Sequence, residues 1–442
     1  MLFEQVIIYS VVALLCVGIV YFYLRKLKKL SNITAAKVEE AKATGLFQPV
    51  SLHPEIDLNK CIKSGACIAA CPEKDIIGIV DGKATLINAS NCIGHGACFH
   101  SCPVEAISLR IGTEERGVDL PHVNQQYETN MPGIYIAGEL GGMGLIKNSV
   151  EQGQNAVDNM VKAGFEKDDS SLDLVIIGAG PAGVSASLMA KKHGLNYITL
   201  EQDTLGGTVF TFPRSKVVMT APMNLPLFGK VKLFDTSKSE LLGLWNQALS
   251  KNKITIKEKT KVEEILPENG IFRIKTQKGE EFLTKKVLLA IGRRGSPRKL
   301  GVPGETLEKV AYRLLEPENI SGKDVIVVGG GDSAIEAALS LTAENKVVLS
   351  YRSEKFNRIK PKNRDKLNQA IEAGVIDIKY KTNVAEIKQE EVVLVHGDSN
   401  ERETIKNDLI FIFAGGELPT QFLQKSGVEI TKRFGYTMKK HN

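Results

Sequence analysis

The sequence predicts an α/β chain of two doubly wound units, with a small cysteine-bearing α+β module and one apolar N-terminal helix. Three observations predict it. A strand–glycine–helix pattern occurs twice, opening at Leu172 and Asp324; two matching sets of three cysteines lie between Cys61 and Cys102; and residues 6–24 carry no charge. At 442 residues the chain exceeds one hydrophobic core and calls for roughly two to four domains. Its 43% hydrophobic and 24% charged residues are ordinary for a folded protein.

The apolar run VIIYSVVALLCVGIVYFYL is long enough to span a bilayer core. Tyr21 and Tyr23 stand where an interfacial aromatic belt would lie, and Arg25-Lys26-Leu27-Lys28-Lys29 follows at once. The positive-inside rule then predicts a single-pass membrane protein, with its N-terminus outside and its remaining domains on the cytoplasmic side. A cleaved signal fits poorly, because no small-residue site follows and the basic cluster is on the wrong side. That cluster accounts for much of the net charge of +6, so no nucleic-acid surface is implied. Cys16, inside the run, reads as a small apolar residue.

The other six cysteines form a tandem repeat. Cys61-Ile-Lys-Ser64-Gly-Ala-Cys67-Ile-Ala-Ala-Cys71-Pro72 is followed by Cys92-Ile-Gly-His95-Gly-Ala-Cys98-Phe-His-Ser-Cys102-Pro103. No cysteine follows Cys102, and the long cysteine-free remainder argues for cofactor ligation over a disulfide framework. The repeat resembles bacterial dicluster ferredoxins, in which three cysteines of a run hold one iron–sulfur cluster and the fourth crosses to the other. The resemblance implies one cluster on Cys61, Cys67 and Cys102, and another on Cys92, Cys98 and Cys71. Both halves depart from the pattern at its second ligand, where Ser64 and His95 stand. Three thiolates suit a [3Fe–4S] centre, or a [4Fe–4S] cubane whose fourth iron takes another donor. His95 is a competent donor and Ser64 a weaker one.

In the first α/β unit, Leu172-Asp-Leu-Val-Ile-Ile177 reads as a buried strand running into Gly178-Ala-Gly180-Pro-Ala-Gly183 and a small-residue helix. Gly178 allows the tight turn, Gly180 lets a pyrophosphate reach the helix N-terminus, and Gly183 lets helix and strand pack closely. A second strand ends in Glu201, at the distance that binds an adenosine ribose. The later unit runs from Asp324-Val-Ile-Val-Val328 into Gly329-Gly-Gly331-Asp-Ser333-Ala334. Its second strand ends in Tyr351-Arg352, with Arg358 nearby, instead of an acid. That favours the 2′-phosphate of NADP(H), with NAD(H) still open.

The order of these Rossmann-type units, the Gly206-Gly207-Thr208 turn, Ala290-Ile-Gly292 and the Gly-Gly-Gly-Asp-Ser-Ala run resemble thioredoxin-reductase-like flavoproteins over residues 170–430. The resemblance implies FAD on the first fold and NAD(P)H on the second. Such proteins close the FAD domain near the C-terminus with a Pro-Gly-Ile-Tyr-Ala-x-Gly-Asp strand and a helix. Here the matching stretch comes early, as Pro132-Gly133-Ile-Tyr-Ile-Ala-Gly138-Glu139 and the helical run 148–162, so a circular permutation is expected. Glu139 replaces the aspartate that the resemblance places on the FAD ribityl or phosphate region. The redox-active Cys-x-x-Cys pair is missing, and Ala182 stands where bacillithiol-disulfide-reductase-like relatives often have cysteine. Both departures disfavour a disulfide substrate.

The expected domains are an anchor with its basic stop (1–30), a linker (31–52), the ferredoxin-like module (53–112) and a permuted closing segment of the FAD domain (113–168). The FAD-binding domain (169–296), the NAD(P)-binding domain (297–404) and a return and tail (405–442) follow, with 436–442 expected to fray. The function expected is an electron relay among NAD(P)H, FAD and clusters, serving a redox protein or quinone-like acceptor. That chemistry needs no catalytic side chain. A homodimer is compatible with the sequence. The competing readings are a flavoprotein that reduces a disulfide or quinone directly beside a cluster-free module, and a membrane-tethered redox sensor.

Overall fold

The computed structural model describes residues 2–441 apart from 44–46, 50, 74, 93, 143, 166–169, 213–216, 234, 294, 357, 358 and 398. The chain forms two compact units, Met1–Val118 with Arg433–Asn442, and Asp119–Lys432.

The first unit begins with helix α1 (Leu2–Ala43), about 60 Å long at the helical rise. Its apolar half is exposed, and the helix is long and apolar enough to cross a membrane. Its second half departs from expectation. Residues 31–43, expected as part of a linker, continue the helix and pack onto the cysteine module. That module runs β1 (Leu52–Ile56), α2 (Ala66–Ala70), β2 (Ile77–Val80), β3 (Lys83–Leu86), α3 (Ala97–Ser101) and β4 (Ile107–Ile111). The two halves match, for β1 pairs antiparallel with β4 and β2 with β3. Each half starts its short helix from a left-handed glycine, Gly65 and Gly96, at φ 71° and 74°. Val38 and Ala41 are buried, and Lys37 pairs with Asp75 at 2.7 Å, because this part of α1 has an apolar face to cover.

The chain's end corrects a second expectation. Strand Tyr436–Lys439 does not fray; it pairs antiparallel with β4 and completes a three-stranded sheet. Beyond it, the His441 ring stacks on Phe99 with centroids 3.7 Å apart.

The second unit contains both doubly wound folds. Strands β5 (Ile134–Ile136), β6 (Leu172–Ile177) and β7 (Tyr197–Leu200) share a sheet with β8 (Val262–Glu268), β9 (Ile271–Thr276) and β10 (Glu281–Leu289). The order is β8–β9–β10–β6–β7, and β5 also pairs parallel with β10. Val175, Ile176 and Leu288 have no exposed surface, as expected of parallel strands covered on both faces. Helix α4 (Ile146–Lys162) lies against helix α5 (Pro181–Lys192), which also touches α6 (Lys238–Lys251). Thus residues 134–162 add a strand and a helix to the fold that begins at Leu172. The later fold has β11 (Asp324–Val328), α7 (Asp332–Leu341), β12 (Lys346–Tyr351) and α8 (Pro361–Glu372). It continues through β13 (Ile376–Tyr380) and an antiparallel meander to β14 (Leu409–Ile412), which pairs parallel with β11.

Candidate functional site

In the first nucleotide fold, β6 ends at Gly178, whose φ of 103° few other residues adopt. A Cβ on Gly183 would collide with the Gly178 carbonyl oxygen, so helix and strand can approach this closely only through glycine. Gly180 faces open space at the N-terminus of α5, where backbone N–H groups and the helix dipole favour a phosphate. The other predicted residues gather around this turn. The Gly206 N–H donates to the Ala179 carbonyl at 2.9 Å, and a Cβ on Gly207 would lie 3.4 Å from the Gly180 Cα. Thr208 follows in the same short 3₁₀ turn. Glu201 is buried and accepts from the Ala179 N–H at 2.7 Å and the Asp203 N–H at 2.9 Å. Burial pushes its carboxyl up, while those two N–H groups oppose the shift.

Gly138 joins the same turn through its neighbours. A Cβ there would lie 3.2 Å from the Ala182 Cβ, and the Gly138 N–H donates to the Gln152 side chain at 2.9 Å. Glu139 is exposed just beyond it. Two residues here were not singled out in the sequence. Gln152 is a buried polar residue of α4, and Arg293 directly follows the Ala290-Ile-Gly292 segment. Burial pushes the Arg293 guanidinium down, opposed by the nearby carboxylates of Glu139 and Asp119. Its position after a recognised motif was the available signal.

The second nucleotide fold repeats the turn with a tighter cover. A Cβ on Gly329 would meet the Phe413 carbonyl oxygen at 2.6 Å, and one on Gly330 would collide with the Tyr351 ring. Gly331 precedes α7 in extended backbone with open space beside it, Ser333 is exposed in the first turn, and Ala334 is buried. Arg352 is exposed immediately after β12. Arg358 lies outside the described residues. Asp332, also not singled out, accepts from the Lys360 N–H and the Asn363 side chain, tying α7 to the start of α8.

In the cysteine module, Cys61, Cys67 and Cys102 line one small cavity, with Ser64 at its wall. Burial pushes the Cys67 thiol up, and Cys61 and Cys102 add to the shift. The remaining three form a second group. Burial pushes Cys98 up to about 12, with Cys92 and Cys71 contributing, and Cys92 up to about 11, with Cys71 contributing. The Ala106 N–H points at the Cys102 sulfur at 3.2 Å and the Gly94 N–H at the Cys92 sulfur at 3.4 Å. His95 Nε2 is buried without a hydrogen-bond partner among the described residues, and burial pushes the imidazole down. Among those residues no three potential ligands converge tightly enough for a single metal ion. A polynuclear cluster is larger and holds its thiolates apart, so two loose cysteine triads fit clusters better than a mononuclear site.

Residues 175–441 match the family model for pyridine nucleotide-disulphide oxidoreductases, and residues 53–103 match that for a 4Fe-4S dicluster domain. The chain is 30% identical over 271 residues to bacilliredoxin reductase Bdr of Bacillus subtilis, covering 59% of this chain and 82% of that one. It is 29% identical over 185 residues to a ferredoxin–NADP reductase of Ignicoccus hospitalis, covering 42% and 57%. The solved bacillithiol disulfide reductase Bdr (YpdA) from Bacillus cereus aligns with a TM-score of 0.52 at 25% identity, over 61% of this chain and 85% of that one. With two glycine turns built for nucleotides and two triads of thiols, the chain belongs to the pyridine nucleotide-disulphide oxidoreductase family, as an FAD-dependent NAD(P)H oxidoreductase that also carries an iron–sulfur dicluster domain.

Proposed function

We propose that the protein is a membrane-anchored relay that moves electrons between NADP(H) and a redox partner, a small redox protein or a quinone-like carrier. The observation that carries this reading is the placement of the thiols. Six cysteines gather as two triads in the dicluster domain, and none lies in the unit that holds the nucleotide folds. The bound groups supply the chemistry, because a flavin takes two electrons as a hydride and can release them singly to one-electron clusters. The protein's residues hold and orient them.

In this reading Gly178, Gly180 and Gly183 shape the FAD pyrophosphate turn, Glu201 faces the adenosine ribose, and Gly206, Gly207 and Thr208 flank the same turn. Gly138 and Glu139 close the site from a permuted segment. The pairing of β5 with β10 supports that permutation, as does a family match that begins only at residue 175. Gly329, Gly331, Ser333 and Ala334 shape the NADP(H) turn, and Arg352 and Arg358 face the 2′-phosphate. Cys61, Cys67 and Cys102 hold one cluster, and Cys92, Cys98 and Cys71 the other. The unpartnered His95 Nε2 supports a ligand role beside the second triad. Helix α1 anchors the chain, with the basic run and both units on the cytoplasmic side.

The relative named bacilliredoxin reductase favours a second reading, direct reduction of a disulfide-bearing protein. One experiment separates them. The full chain is purified anaerobically in detergent, titrated with NADPH and followed by flavin absorbance and EPR. A cluster signal that appears as NADPH is added supports the relay; flavin bleaching in protein containing no iron sinks it. Within the relay, Cys61→Ser and Cys102→Ser are expected to remove one centre and Cys71→Ser the other. If Cys71→Ser and Cys61→Ser remove the same centre, the crossed assignment fails.

A further inference from the structure

Two observations in the first unit point the same way. Helix α1 runs unbroken from its apolar half into the dicluster domain, which therefore sits at a fixed place along the helix. Ser31 Oγ accepts from the Asp81 N–H at 2.9 Å, Thr34 packs at Gly78, and Lys37 pairs with Asp75. Strand β2 thus lies along α1 with its turn, Asp81-Gly82, at the end nearer the apolar residues. Ser31 is seven positions beyond Leu24, about 10 Å along the axis. A headgroup layer is roughly 5–8 Å thick on each side, so the turn lies at or just beyond the lipid headgroups.

The second observation is what lies beside that turn. The Lys63 side chain covers Gly82, with its Cε 2.8 Å from where a Cβ would be. Lys63 belongs to the loop carrying Cys61, and this loop leaves Leu58 and Ile62 exposed at 46% and 60%, with exposed Lys60 and Lys63 on either side of Ile62 and exposed Asp57 beside Leu58. The equivalent loop of the other half is different. Gly94 and Gly96 there are buried, and a Cβ on Gly94 would meet the Leu52 carbonyl oxygen at 2.9 Å. Ala89 and Gly94 of that loop are thus buried where their counterparts Leu58 and Lys63 are exposed, and the first loop presents two apolar side chains and two lysines.

We infer that loop 58–63 is a second membrane contact, which seats Leu58 and Ile62 in the lipid interface while Lys60 and Lys63 engage anionic headgroups. Exposed apolar side chains beside lysines are the chemistry that binds an anionic lipid surface, and the basic run at residues 25–29 adds to the same field. The inference rests on α1 being a membrane anchor. Its consequence is that the cavity lined by Cys61, Cys67 and Cys102 opens beside the bilayer.

The test uses the full chain with Ile62→Trp, reconstituted into vesicles of phosphatidylcholine and phosphatidylglycerol brominated at shallow acyl positions. Trp245, the sole native tryptophan, is fully buried and gives the unquenched background. Trp emission from the Ile62→Trp chain is expected to fall by roughly half relative to unbrominated vesicles, as for a side chain at the headgroup boundary. Adding Lys60→Glu and Lys63→Glu should relieve the quenching. Leu58→Trp provides an independent second position. A chain that floats with the vesicles yet shows no quenching at either position overturns the inference and leaves the anchor standing; a lipid-independent protein partner on this loop gives that result. A chain that does not float with vesicles overturns the anchor and the inference together.

Discussion

Gly153 of α4 sits so close to Ala182 of α5 that a Cβ on it would overlap the Ala182 carbonyl oxygen and lie 2.9 Å from its carbonyl carbon. This crossing holds the early segment against the helix that starts at the glycine turn. Gly153→Ala is expected to push the helices apart at a cost of about 1–3 kcal/mol, as overpacking does, and to reduce bound FAD. Thermal unfolding and the flavin-to-protein ratio measure both. Wild-type stability and flavin content in Gly153→Ala would show that the early segment does not help build the FAD fold.

Glu201→Ala removes the acceptor of two N–H groups, on Ala179 and Asp203. Leaving a buried donor unmade costs about 1–3 kcal/mol, so the apoprotein should lose stability as well as affinity. The expected outcome is FAD loss on gel filtration, with a lowered unfolding midpoint even in flavin-free protein. Unchanged flavin retention would remove Glu201 from the FAD site.

Arg352 is exposed just past β12, where an acid would discriminate against a 2′-phosphate. Arg352→Ala should lower kcat/KM for NADPH by about 10- to 100-fold, the value of roughly 1.5–3 kcal/mol from a charged hydrogen bond, while NADH is unaffected. Parallel steady-state assays with both nucleotides and an artificial acceptor decide it. Equal losses for both would assign Arg352 to something other than the 2′-phosphate.

The terminal strand and the His441–Phe99 stack brace α3, the helix that carries Cys98. His441→Ala should cost about 0.5–1.5 kcal/mol, the worth of an aromatic pair, and ending the chain after Arg433 should cost more. Iron content and the thermal midpoint are the measurements. Full iron content in the shortened chain would mean that this cover does not stabilise the module.

Much of the site was legible because its residues act locally. Gly178, Gly180 and Gly183 shape one turn, and each Cys-x5-Cys-x3-Cys-Pro frame wraps one loop, so spacing alone marks them. Arg293 and Gln152 were less visible, since their importance comes from what approaches them through space. The early strand 134–136 was readable only because its motif is distinctive; its place on β10 is a long-range pairing.

The sequence by itself determined the α/β class, the two nucleotide turns, the tandem cysteine frame and an apolar helix, because periodicity and glycine spacing report local backbone needs. Tertiary structure decided three further things. Residues 31–43 became a packed helix instead of part of a linker, since Val38 and Ala41 found an apolar surface to bury against. Strand Tyr436–Lys439 became ordered because β4 offered an unpaired edge. The six thiols sorted into crossed triads because two pseudosymmetric halves face each other, a relationship that no run of residues contains.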